Sequence, residues 1–143
     1  MKKILLIVFT TISFSASAQT KYYCANNLDG KSKDLMLSFE NGLKIEELGG
    51  VPMSGYAMYN TGEKDKVEIY LEKVETAVDS KGKTGQRYYY MEQFENPNSA
   101  KYIITEWPMG TEIIYISTKK VKYKFYCQDD YNLDHSIPCE WSK

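Results

Sequence analysis

The sequence predicts an all-β protein, a small antiparallel barrel or sandwich of about eight strands. Three observations carry that expectation. Apolar and aromatic residues recur in short alternating runs, turn-forming clusters separate the runs at near-regular intervals, and no stretch shows a convincing amphipathic helix.

The chain opens with Met1-Lys2-Lys3, an apolar run from Ile4 to Phe9 continued by Ile12 and Phe14, and the small residues Ala16-Ser17-Ala18. Residues 1–18 therefore predict a secretory signal peptide, with the mature chain starting at Gln19 and the protein exported, periplasmic or secreted. The run is too short, and too interrupted by Thr10, Thr11 and Ser13, for a membrane anchor. No other stretch is suited to span a bilayer, and no cysteine follows the cleavage point to carry a lipid. Residues 19–143 are enough for one β-domain with a core of its own.

Tyr22-Tyr23-Cys24 reads as a first aromatic strand. Leu35, Leu37 and Phe39 alternate, as do Leu43 and Ile45 with Leu48, and Asn41-Gly42 between them is the dipeptide best suited to a type I′ hairpin turn. Gly49-Gly50-Val51-Pro52 ends that pattern, and Ser54-Gly55 opens a third run that closes at Tyr59. Residues 67–78 carry both periodicities: Val67, Ile69 and Leu71 alternate, whereas Val67, Tyr70, Leu71, Val74 and Val78 fit a helical stripe. Their β-branched and aromatic content, and the turn-rich residues 79–85 that follow, favour a strand and hairpin over a helix. Residues 86–94 form the next strand and Asn96-Pro97-Asn98-Ser99 stops it. Residues 102–107, a Pro108-Met109-Gly110 turn, then residues 112–117 and 121–126 predict a closing meander. From about residue 128 the pattern dissolves into an irregular acidic tail.

The whole chain has a formal charge of −1, and loss of Lys2 and Lys3 makes it two units more negative. Nucleic acid is thereby a poor partner, and a basic protein a better one. All three cysteines lie in the exported part, where disulfides persist, and their odd number allows one bridge at most. Strand context favours Cys24 with Cys127, joining the first and last strands; Cys127 with Cys139 is the alternative.

Catalytic chemistry is sparse. His135 is the single histidine, and no G-x-S-x-G elbow accompanies it; with Cys139 it reads better as a surface histidine near a structural or spare cysteine than as a dyad. Asp130, Asn132, Asp134 and Ser136 follow calcium-loop spacing, but His135 stands where glycine is needed and Trp141 where a bidentate glutamate is needed. The cysteines and His135 show no zinc spacing, and Met53, Met58 and Met109 read as core filler rather than copper ligands. Glu46-Glu47, adjacent on a strand, would face opposite sides and suits no glycosidase pair. We expect no enzyme, metal or cofactor, and we assign most of the thirteen tyrosines to strand packing. Nothing in the sequence sets the oligomeric state.

Between the early Tyr22-Tyr23-Cys24 and Tyr70-Leu71-Glu72-Lys73 lie a strand hairpin, Ser54-Gly55, Tyr59 and Asn60-Thr61-Gly62. In this combination the chain resembles the exported inhibitors of c-type lysozyme, the MliC/PliC-type family. The resemblance spans about residues 22–74. It departs from the family pattern in the spacing of Gly55 to Tyr59, in Leu71 where the family has tryptophan and in Val74 where it has glycine. It implies a small antiparallel β-barrel with a disulfide near its ends. It also implies a partner-binding set of Ser54, Gly55, Tyr59 and Lys73, in which the Ser54 hydroxyl and the Lys73 ammonium would block a glycosidase's catalytic carboxylates. The competing class is an exported β-domain that binds another protein, an immunity protein for example, or an envelope component. Ser54 and Lys73 on adjacent loops at one rim would favour inhibition; Lys73 in mid-strand would not.

Overall fold

Alternating side chains sort onto the two faces of a sheet, and closing the sheet turns one face into a core. The computed structural model describes residues 21–39, 44–45, 50–59 and 66–128. Its strands are β1 (Lys21–Asn27), β2 (Leu35–Phe39), β3 (Lys44–Ile45), β4 (Val51–Pro52), β5 (Ser54–Tyr59), β6 (Val67–Val78), β7 (Thr84–Met91), β8 (Lys101–Trp107), β9 (Gly110–Ile116) and β10 (Lys122–Gln128). Eight of them form one closed antiparallel barrel in the order β1-β10-β9-β8-β7-β6-β5-β2, and β3 pairs with β4 in a separate two-stranded ladder. Of the two architectures expected, the barrel is the one built. Among the described residues no helix is long and apolar enough to cross a membrane. The leader at 1–18, the Asn41-Gly42 turn, Asn60-Thr61-Gly62 and the acidic tail with His135 and Cys139 all lie outside the described residues.

Inside the barrel, Leu35, Leu37, Ile69, Ile104, Ile113 and Phe125 are buried together with Tyr23, Tyr90 and Tyr102. Tyrosine fills such a lumen well if each hydroxyl finds a partner. At one end Tyr23 donates to the Glu106 carboxylate, which Tyr88 also reaches at 3.5 Å and Lys21 Nζ at 3.2 Å. At the other end of β8 the Tyr59 and Tyr102 hydroxyls lie 3.2 Å apart, and Tyr102 donates to Glu92 Oε1 at 3.2 Å. The Tyr115 ring stacks at 4.8 Å on Tyr102 and at 5.6 Å on Tyr123. Burial raises the Glu92 carboxyl above its ordinary pKa, and the Tyr102 bond offsets this only partly.

Two expectations are corrected. Among the described residues, those before and after Asn41-Gly42 do not pair with each other: β2 lies between β1 and β5, and β3 pairs with β4 instead. All five β2 residues are buried, so β2 gains more as a central strand of the wall than as one arm of a local hairpin. The Cys24–Cys127 bridge is not formed either, although their strands do pair. The register matches Asn26 with Tyr126 and Asn27 with Phe125; continued, it sets Cys127 opposite Ala25 rather than Cys24. Successive residues face opposite sides, so the Cys127 thiol is buried in the core while Cys24, between buried Tyr23 and Ala25, faces outward. The alternative bridge, Cys127 with Cys139, involves a residue outside the described ones. Among the described residues no two cysteines are joined.

The ambiguity at 67–78 also has a structural cause. The segment is one strand, but its pairing with β7 steps from Leu71–Tyr90 to Lys73–Tyr89, leaving Glu72 as a bulge. One inserted residue switches the parity, so Ile69 and Leu71 face in and then Val74 does, opposite Tyr88. A strand with a parity switch resembles a helical stripe. The turn after it is locally encoded: the Asp79 side chain accepts the Lys81 and Lys83 amides, both at 2.8 Å, and Gly82 takes a φ of 82°.

Two outcomes follow from these interiors. The Cys127 thiol, 1% exposed, will react with a thiol reagent only as the barrel unfolds, so its labelling will track the urea transition seen by circular dichroism. Because the folded pKa of Glu92 is raised, its contribution favours the native state below its ordinary pKa and is lost as pH rises through the raised value. Glu92→Gln will therefore raise the urea midpoint at pH 7 and leave it nearly unchanged at pH 4.

Candidate functional site

Strand pairing places each residue that the resemblance singles out. In β5 the odd-numbered Gly55, Ala57 and Tyr59 face the lumen, and Ser54 and Tyr56 face outward, with Ser54 paired to Tyr70 and Tyr56 to Glu68. Gly55 is a packing residue: a Cβ there would stand 2.7 Å from the Ser38 carbonyl oxygen and would run into the Phe39 ring. Tyr59 is likewise part of the interior, its ring 6.3 Å from Tyr115 and 6.5 Å from Phe125, and burial raises its hydroxyl well above the ordinary range. The four residues are not one surface cluster. Two belong to the core, and Ser54 and Lys73 alone emerge on the outer wall.

Lys73 lies in the middle of β6, three positions beyond Tyr70, the strand partner of Ser54, which is roughly 10 Å further along the wall. It does not project from a loop beside Ser54. Its ammonium stands 4.4 Å over the Tyr89 ring and 4.0 Å from Glu75 Oε2. Glu75 is the centre of a small outer network: Tyr89 donates to it, and Arg87 Nη1 approaches to 3.7 Å while Arg87 Nε donates to Thr105 Oγ1 at 3.0 Å. The Tyr89 hydroxyl bond, helped by Lys73 and Arg87, lowers the Glu75 pKa against the opposing effect of desolvation. These pairs are solvated and individually weak, and the Lys73 side chain is 55% exposed on the wall.

Beside Ser54 the wall carries two aromatics that the sequence does not mark as a site. Tyr70 meets Phe94 edge-on, with ring centroids 6.2 Å apart and planes at 75°. Phe94 is 65% exposed, and Met53, whose carbonyl accepts the Leu71 amide at 2.8 Å, is 45% exposed. Read linearly, Phe94 is the last residue of a strand; the structure ends β7 at Met91 and lifts Phe94 onto the following loop. The available signal was an aromatic residue next to the turn formers Asn96-Pro97-Asn98-Ser99, where no strand face can bury it. Among the described residues no group of three or more His, Cys, Asp or Glu side chains is arranged to hold a metal ion.

Fold and wall together define an eight-stranded closed antiparallel barrel with a filled lumen and a mixed aromatic and charged outer surface. No family model matches the chain, and no curated protein or solved structure matches it. Gly55→Ala tests the packing role directly: overlap with Phe39 and Ser38 will cost about 1–3 kcal/mol and lower the urea midpoint. Ser54→Ala, on the outer face, will leave that midpoint within about 0.5 kcal/mol of the parent.

Proposed function

We propose that the chain is an exported, non-enzymatic binding protein that engages a protein partner through the outer wall of its barrel. The observation that carries this reading is the division of labour across the wall. Tyr90, Tyr102 and Phe125 fill the interior, each at most 2% exposed, whereas Ser54, Tyr70 and Lys73 face out and Phe94 stands in solvent beside Tyr70. A small barrel packed with side chains offers its surface rather than its lumen to a partner.

Inhibition of a c-type lysozyme is the particular form of this function to test first. It rests on the resemblance over residues 22–74 and on Ser54 and Lys73 standing on the same outer wall. A hydroxyl and an ammonium presented to the acid and the carboxylate of a glycosidase would occupy the cleft through charge-assisted hydrogen bonds. The mid-strand position of Lys73 favours the broader class, an exported β-domain gripping another protein such as a toxin it neutralises. In a cell-wall lysis assay with a c-type lysozyme, the inhibitor reading expects the mature protein to slow lysis at micromolar concentration, and Ser54→Ala or Lys73→Ala each to weaken inhibition about tenfold or more. Undiminished lysis at that concentration removes lysozyme as the partner.

A further inference from the structure

We propose that the Phe94–Tyr70 pair is the anchor with which the barrel grips its partner, and that the partner is a protein surface presenting lysine or arginine beside apolar side chains. The proposal rests on the reading of the chain as a binding protein, but not on lysozyme being what it binds.

The loop that carries Phe94 is longer than its connection requires. Pro108 and Met109 suffice to join β8 to β9, whereas residues 92–100 join β7 to β8. Those residues are also rigidly tied. The Glu92 amide donates to Ala100 O at 3.0 Å, the Gln93 amide to Ser99 Oγ at 2.8 Å, and the Ser99 amide to Asn96 O at 3.1 Å. Asn96 Nδ2 donates to Gln93 Oε1 at 2.6 Å, and the Asn98 amide to Asn96 Oδ1 at 2.9 Å. Within this frame Glu95 adopts a φ of 58°, a conformation that non-glycine residues seldom take without compensation. The product of all this ordering is a phenyl ring held in water. An exposed aromatic on a loop whose backbone is already ordered costs less loop-ordering entropy when a partner covers it, which is a property of a binding anchor.

Charge selects the partner. Glu68, two positions before Tyr70 on the same face, and Glu95, beside Phe94, are exposed and belong to no ion pair among the described residues; Glu72 and Lys101 neutralise each other at 3.3 Å. Glu68 accepts a hydrogen bond from the Tyr70 hydroxyl. Two carboxylates outside any described ion pair, one on each side of an aromatic pair, complement a cation set in an apolar surface, and a cation can also sit over either ring.

The test uses the mature protein and a displayed library of random peptides, with bound peptides resynthesised for titration and mapped by amide chemical shifts. The expected result is enrichment of lysine or arginine next to apolar residues, with shifts centred on residues 70 and 92–96. Phe94→Ser is expected to weaken binding about tenfold or more without moving the urea midpoint, since the ring is exposed. The pair Glu68→Lys with Glu95→Lys is expected to weaken it similarly and to abolish its salt dependence. Peptides without basic enrichment, or shifts elsewhere on the wall, overturn the proposal while leaving the binding reading in place. Concentration-dependent dimerisation lost in Phe94→Ser would overturn it in favour of a second copy of the chain, and flotation with anionic vesicles lost in that variant would overturn it in favour of a lipid surface. Failure to select any peptide or to slow lysozyme would overturn the binding reading itself.

Discussion

Filling a closed eight-stranded barrel is the constraint on which the rest of this structure depends. Such a barrel encloses just enough space for one layer of side chains from each strand, and any void or unsatisfied polar atom there is costly. Aliphatic residues fill the middle of this lumen, and tyrosines reach toward its two ends. There the ring buries apolar area while the hydroxyl finds a carboxylate, Glu106 at one end and Glu92 at the other. The two carboxylates do not stand in equal surroundings. Glu106 is shared by Tyr23, Tyr88 and the Lys21 ammonium, whereas Glu92 has the Tyr102 hydroxyl to offset its desolvation.

A filled lumen leaves the outside of the wall as the accessible surface, and the periodicity of strands decides which residues reach it. This is why the residues singled out by resemblance divide into two kinds. Gly55 and Tyr59 are odd-numbered members of β5 and serve the core, where Phe39 lies against the glycine and Tyr102 accepts the tyrosine. Ser54 is out because it is one residue from Gly55. A short motif read as a unit in the sequence is split by the wall it helps to build, and the half left on the outer face is Ser54 with its neighbour Tyr70.

Much of the wall was legible because its information is local. The strands from residue 84 onward, the Asp79 turn and the tight Pro108-Met109 connection follow from alternation and turn chemistry that a few adjacent residues supply. What escaped was non-local. Asn41-Gly42 suggests a hairpin, but whether β2 pairs with β3 or with β5 depends on what the rest of the barrel offers its two edges. The cysteine pairing failed on parity: strand adjacency was right, and the face was set by a register that only the closed structure fixes. Phe94 was missed because aromatics beside turns look like strand ends until the loop geometry shows them standing in solvent.

The bulge at Glu72 joins these threads. In an unbroken strand Lys73 would share the face of Ile69 and Leu71, and its ammonium would enter a lumen of tyrosine and aliphatic side chains. Burying an unpaired charge there is far costlier than breaking one rung of a ladder. The extra residue turns Lys73 outward opposite Tyr89, returns Val74 to the interior opposite Tyr88, and sets Glu72 beside Lys101. The same local twist ends the part of β6 that pairs with β5, so Tyr70 and Ser54 stand at the limit of that pairing. One inserted residue thus lets a sequence with the wrong parity fill the core, and the outer charge pattern next to the aromatic pair is its direct consequence.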